Sequence, residues 1–200
     1  MTTRDREITE MEPLAVRQST EETGGEFVQF ELTLYPREPT TENTTDFSHR
    51  RWSIDFPTEH VHPSQEEHWK VLSGELAVAY GGTEDVLTEG DTVTLPPGVP
   101  HRIWNPLDEP SRVELAFHPA FDAQLLTETL YVLAQRGMTN EKGQLKVLQF
   151  AVTQDAHPDH LYLTGIPIRL QKGLTKLLAP FGRRLGYKAT YPLDSLPESP

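Results

Sequence analysis

The stretch HVHPSQEEHWKVLSG at residues 60–74, followed by GDTVTLPPGVPHRIWN at residues 90–105, decides how this chain folds. His60 and His62 are two residues apart. Side chains alternate along an extended strand, so both imidazoles face the same way. Pro63-Ser64-Gln65 reads as a turn, after which a carboxylate of the Glu66-Glu67 pair can return toward the same point. Pro96-Pro97-Gly98 breaks the chain just ahead of His101, which must come from a different strand. Three imidazoles and one carboxylate at these spacings can converge on a single divalent metal.

The flanking sequence has the texture of strands and turns. Phe30, Leu32 and Leu34 alternate with Glu31 and Thr33, and Trp52, Ile54 and Phe56 alternate with Ser53 and Asp55. Glu75 to Tyr80 reads as a strand closed by a Gly81-Gly82 hairpin, with Thr83 to Leu87 as its partner. Glu89-Gly90-Asp91 is a turn before Thr92 to Leu95. His101 to Trp104 follows the proline break, and Val113, Leu115 and Phe117 alternate in a last strand. Short strands at this spacing suggest an antiparallel sandwich or barrel.

The two blocks resemble the paired motifs of the cupin superfamily. The first has His60, His62, Glu67 and Gly74 at that family's spacing, and the second has Gly90, Pro96, Gly98, His101 and Asn105. The resemblance selects Glu67 over Glu66, because six residues then separate the carboxylate from Gly74. It implies a mainly β fold, the cupin-type antiparallel jelly-roll β-barrel, here with an α-helical C-terminal extension. It implies that His60, His62, Glu67 and His101 hold one metal, and that two copies pair into a homodimer. One position departs: the Gly that usually opens the first motif is replaced by Ile54, which bears on a local bend and not on the ligands. The resemblance covers Trp52 to about Phe117.

Neutral imidazoles with a carboxylate suit a divalent transition metal, iron first, with manganese, nickel, zinc, cobalt or copper as alternatives. Four protein ligands leave up to two positions open on an octahedral ion. Strand parity places Trp69 and Val71 with Glu67, and Ile103 and Asn105 with His101. Trp52, Phe56, Trp69, Ile103 and Phe117 would then line an apolar, aromatic cavity that receives a small-molecule ligand, Trp69 being the foremost substrate contact. Arg50, Arg51 and Arg112 are not clearly aimed inward, which disfavours a sugar-phosphate substrate. The expectation is a metal-dependent oxidoreductase of dioxygenase type acting on a small apolar or aromatic molecule. The alternatives are a metal-dependent isomerase, decarboxylase or lyase, and a non-enzymatic binding module. Which residues carry the catalysis itself stays open.

Three parts are expected along the chain: a polar N-terminal arm over 1–25, with a short helical turn around Leu14 to Arg17; the barrel over 26–118; and the helical extension over 119–200. In the extension, Phe121 to Gln135, Leu145 to Val152 and Ile168 to Gly182 have helical spacing, with Gly137 as a C-terminal cap and Pro180 bending or ending the third helix. Leu170, Leu174, Leu177, Leu178 and Phe181 form an apolar stripe read as packing on the barrel or on a partner subunit. Lys172, Lys176, Arg183, Arg184 and Lys188 make this segment basic, with membrane or anionic-ligand docking as the lesser alternative. Pro158 to Pro167 reads as irregular, with His157 and His160 exposed in a loop. His49 and His118 flank the barrel strands.

A formal net charge of −12 sets the remaining limits. Nucleic acid and anionic membrane are poor partners for the protein as a whole. The absence of cysteine removes disulfides, zinc ribbons and thiol nucleophiles. No secretory signal and no membrane-length apolar run is found, so a cytoplasmic location is expected.

Overall fold

A computed structural model describes residues 14–36, 59–139 and 145–195. Within these ranges the alternating segments form strands as their patterns require. In β2 (Val28–Leu34) the side chains of Val28, Phe30, Leu32 and Leu34 are buried. In β9 (Ser111–His118), Val113, Leu115 and Phe117 are buried against them. The two strands pair antiparallel, Phe30 opposite Leu115 and Leu32 opposite Val113. Such opposed apolar pairs pin the register, because a slip of one residue would turn every one of them to water.

Two antiparallel sheets enclose the core. β1 (Leu14–Gln18), β2, β9, β4 (Glu66–Ser73) and β7 (Thr92–Leu95) form one, in that order. The second runs β10 (Tyr162–Leu163), β3 (His60–Val61), β8 (His101–Trp104), β5 (Glu75–Tyr80) and β6 (Thr83–Thr88). This is the expected jelly-roll arrangement of two packed sheets. Gly81 and Gly82 both take positive φ (58° and 84°), the conformation of a two-residue hairpin turn, and join β5 to β6.

Gly74, between β4 and β5, sits at φ 78°, and a Cβ there would lie 2.5 Å from Ser111 Oγ. Gly74→Ala is therefore expected to destabilise the fold by about 1–2 kcal/mol from the left-handed backbone alone, and further if Ser111 cannot yield. Urea unfolding measures this, and an unchanged midpoint would contradict it.

Among the described residues, three α-helices follow β9. α1 (Ala123–Gln135) ends as foreseen: Gly137 has φ 67°, its N–H donates to the Ala134 carbonyl, and the Met138 N–H donates to that of Leu133. These bonds satisfy carbonyls that the helix end would leave unpaired. α2 (Val147–Ala156) packs against α3 (Ile168–Arg184). The close approach depends on Gly182, where a Cβ would stand 2.5 Å from Val152 Cγ2 and 2.9 Å from the Leu148 carbonyl oxygen.

Four expectations are corrected. Leu14 to Arg17 is strand and not a helical turn, because Leu14 and Val16 pair with Leu32 and Phe30 on the edge of β2. The arm over 1–25 thus contributes a barrel strand, which covers an otherwise open sheet edge. The segment from Pro158 to Pro167 is not wholly irregular: its Tyr162-Leu163 pair forms β10, which joins the barrel beside β3. The division at 118 is therefore crossed by the second sheet. α3 runs through Pro180 to Arg184, so the proline does not end the helix. Pro180 is exposed, so the Lys176 carbonyl that loses its helical N–H partner can be hydrated. The stripe of Leu170, Leu174, Leu177 and Phe181 faces outward and not onto the barrel, since Gln171, Thr175, Ala179 and Gly182 occupy the buried side of α3. Trp52, Ile54, Phe56 and His49 lie outside the described residues.

Candidate metal centre

The two sheets bring the four ligand positions together between them. His60 on β3 pairs directly with His101 on β8, and the two rings stand edge-on at 4.4 Å between centroids. His62 follows two residues later, with its ring stacked against that of His101 at 5.6 Å. Glu67 enters from β4 in the opposite sheet. All four residues are buried, and each offers a ligand atom within 4.8 Å of the others. Two ligands on opposite sides of one ion would stand about 4.2 Å apart at the ~2.1 Å bond length usual for imidazole nitrogen. The cluster thus needs only a small contraction to take a cation.

Local chemistry fixes the ligands' orientation. The His62 carbonyl accepts the Gly98 N–H at 2.8 Å, which ties the Pro-Pro-Gly turn to the first motif. That turn delivers Val99, whose carbonyl accepts the Nδ1–H of His101 at 2.9 Å. His101 Nε2 is thereby left facing Glu67 Oε1 at 3.4 Å, without a hydrogen-bond partner. His62 Nε2 lies 2.7 Å from the same oxygen. The other oxygen, Oε2, accepts the Trp69 indole N–H at 2.6 Å. Trp69 therefore fixes one carboxylate oxygen and leaves the other to the histidines. The turn before Glu67 is held by Gln65, whose amide donates to the Pro119 and Ala120 carbonyls at 2.9 and 3.1 Å.

Burial raises the proton affinity of the Glu67 carboxyl, but the adjacent His62 and His101 outweigh it and hold the group well below the usual carboxylate range. For His101 burial disfavours the charged ring, yet the Glu67 carboxylate prevails and raises its pKa. A buried anion amid three imidazoles is costly unless positive charge neutralises it, which a cation at this point would do. Orphaned nitrogen, anionic oxygen and interatomic spacing all fit a metal ion.

A pH dependence follows. A metal needs neutral His101, so protons compete with it. Because the pKa of His101 is raised, competition begins above the ordinary imidazole range and strengthens as pH falls. Equilibrium dialysis with Zn²⁺ should show affinity rising with pH through the neutral region; a flat profile would contradict this.

Of the residues expected to line a cavity, Phe117 reaches the cluster, its ring 5.5 Å from that of His62. Trp69 reaches it through Glu67. Ile103 is buried in the apolar core, opposite Val78 on the neighbouring strand. Trp52 and Phe56 lie outside the described residues. Asn105, the last position of the second motif, acts on the backbone: its amide donates to the Leu34 and Glu109 carbonyls at 2.8 and 2.7 Å. Its oxygen accepts the Leu107 N–H at 2.9 Å.

Sequence reasoning missed His160. It and His157 are buried rather than exposed. The His160 ring packs edge-on against His62 at 4.8 Å and tilted against Phe117 at 5.2 Å. Its Nδ1 is buried without a hydrogen-bond partner. Burial, reinforced by the neighbouring His62, holds its pKa well below the ordinary value, so the ring stays neutral. β10 places it there: Leu163 pairs with His60, and Thr164 donates from N–H and hydroxyl to the Glu59 carbonyl at 3.2 and 3.0 Å. His157 is held by the Asp122 carboxylate at the start of α1. The His-Pro-Asp-His spacing was the available signal. His118 points away from the cluster, stacked on Phe27 at 5.0 Å and edge-on to His68 at 4.7 Å.

Residues 55–118 match the family model described as a cupin domain. The barrel belongs to the cupin superfamily. A stretch of 49 residues is 49% identical to an oxidoreductase of Arthrobotrys oligospora, covering 24% of this chain and 19% of that protein. The match thus spans less than a fifth of the relative's length. A double-stranded β-helix protein from Klebsiella pneumoniae is 22% identical, with a TM-score of 0.38, over 54% of this chain and 76% of that one. Salicylate 1,2-dioxygenase from Pseudoaminobacter salicylatoxidans, crystallised as a W104Y mutant, is also 22% identical, with a TM-score of 0.37, over 50% of this chain and 24% of that one.

Proposed function

We propose that this cupin is a metal-dependent oxidoreductase of dioxygenase type, acting on a small apolar or aromatic molecule. The observation that carries the reading is the buried set of three histidines and one glutamate, with Phe117 beside it. The oxidoreductase name of the Arthrobotrys relative supports the same class over the short stretch the two chains share. His60, His62, Glu67 and His101 would hold the ion, iron being the choice that matches this chemistry. When bound, the metal supplies Lewis acidity and one-electron reactivity at the positions the four ligands leave open.

The chain's own residues prepare that site. Trp69 keeps the Glu67 carboxylate turned toward the histidines, and Val99 keeps the His101 ring in one orientation. Phe117 and His160 pack on His62, exclude water from that side and present an aromatic wall to an apolar substrate. A neutral His160 adds a polar nitrogen without adding charge.

The test is oxygen consumption by iron-loaded protein supplied with a panel of small aromatic and apolar compounds, with products followed by mass spectrometry. Substrate-dependent oxygen uptake that the His60→Ala/His101→Ala double variant lacks is the expected result. Turnover at an undiminished rate without dioxygen would contradict the proposal and move the protein to the isomerase or lyase class.

A further inference from the structure

α3 is amphipathic in the reverse sense to an ordinary surface helix. Its buried side consists of Gln171, which bonds to Leu163 and Ile166 around β10, and of Thr175, Ala179 and Gly182, and the helix packs on α2. Its outer side carries Leu170, Leu174, Leu177 and Phe181 at helical spacing, continued by Leu185. Leu177, Phe181 and Leu185 are 62%, 59% and 71% exposed. Ile166 and Ile168 extend the apolar ridge before and into the first turn. Polar residues normally occupy such a face, and a contiguous exposed ridge of this kind marks a contact surface.

Charge identifies what the surface contacts. From His160 to Leu193 the sequence has six lysines and arginines and no aspartate or glutamate, within a chain of net charge −12. Lys172 pairs with Asp159 and Arg183 with Asp155. Among the described residues, Arg169, Lys176, Arg184 and Lys188 have no carboxylate partner. The apolar ridge is thus bordered by unneutralised positive charge. Pairing of two copies through this face would oppose like charges. An anionic bilayer answers both features at once: the apolar side chains enter the headgroup–acyl boundary while the basic ones reach the headgroups. No helix among the described residues is long and apolar enough to cross a membrane, so contact would be at the surface.

We propose that α3 docks the protein on the surface of membranes containing anionic lipids. The acidic remainder of the molecule is repelled from such a surface, which confines contact to this face and fixes the orientation. Gly182 holds α3 close to α2, so the ridge is presented without unfolding. The inference stands apart from the proposed reaction.

Co-sedimentation of the full chain with vesicles tests it, using phosphatidylcholine alone or with about a third phosphatidylglycerol. The wild type should bind the anionic vesicles at least about ten-fold more tightly than the neutral ones, and added salt should weaken binding. Leu177→Asp/Phe181→Asp should abolish sedimentation while leaving metal content and circular dichroism unchanged. Lys176→Glu/Arg184→Glu should remove the preference for anionic lipid. Failure of the wild type to sediment with either vesicle would overturn the proposal, as would binding that both variants retain. A soluble dimer converted to monomer by Leu177→Asp/Phe181→Asp would also overturn it, by assigning the ridge to a second copy.

Discussion

Replacing His101 with alanine should lower metal affinity by at least about a hundred-fold, more than the 10–100-fold usual for residues that only support a ligand. The substitution removes a nitrogen with no hydrogen-bond partner of its own, 3.4 Å from Glu67 Oε1. It also leaves the buried Glu67 carboxylate with one fewer imidazole beside it. The barrel should survive, because the backbone pairing of His101 with His60 and Tyr80 does not depend on the imidazole. Titration with Zn²⁺ or Mn²⁺, beside circular dichroism, separates loss of the site from loss of the fold. Wild-type affinity in a folded variant would remove His101 from the ligand set.

The second large effect is expected at Trp69. Its indole N–H donates to Glu67 Oε2 at 2.6 Å, and the side chain is buried in the core. Trp69→Phe retains much of the apolar bulk and removes the donor. The carboxylate then loses the bond that directs Oε1 toward His62 and His101, and metal affinity should fall by about 10–100-fold. A substrate-contact role alone would leave affinity intact and raise KM. Metal titration and steady-state kinetics on the same variant therefore distinguish orienting Glu67 from touching substrate. Affinity within two-fold of wild type would contradict the orienting role.

The barrel and the convergence of His60, His62, Glu67 and His101 were legible because strand alternation agrees with the spacing of the cupin motifs that the two blocks resemble. Alternation of period two fixes which side chains share a face, and Pro96-Pro97-Gly98 fixes where the chain breaks. The motif spacing to Gly74 selects Glu67 over Glu66, and burial agrees: Glu67 is buried with Trp69 and Val71, whereas Glu66 faces outward to His68 at 2.6 Å. The elements that escaped reading are short and paired at long range. β10 is two residues long and joins Tyr162 to Val61. No periodicity exists in two residues, so β10 could not be read locally, and without it the His-Pro-Asp-His spacing did not reveal that His160 approaches His62. β1 was missed for a similar reason, since five residues become a strand only when β2 offers an edge. In α3 the apolar stripe was visible, but a stripe does not reveal which way it faces. That depends on Gly182 and Ala179 allowing α2 to approach from the other side.

The central claim is that His60, His62, Glu67 and His101 hold one metal ion. Metal content by plasma mass spectrometry tests it most directly, measured on wild-type protein beside the His60→Ala/His101→Ala double variant, each purified under the same conditions. One transition-metal ion per wild-type chain, lost from the folded variant, is the predicted result. Wild-type protein that stays metal-free after supplementation with iron, manganese, nickel and zinc would contradict the account.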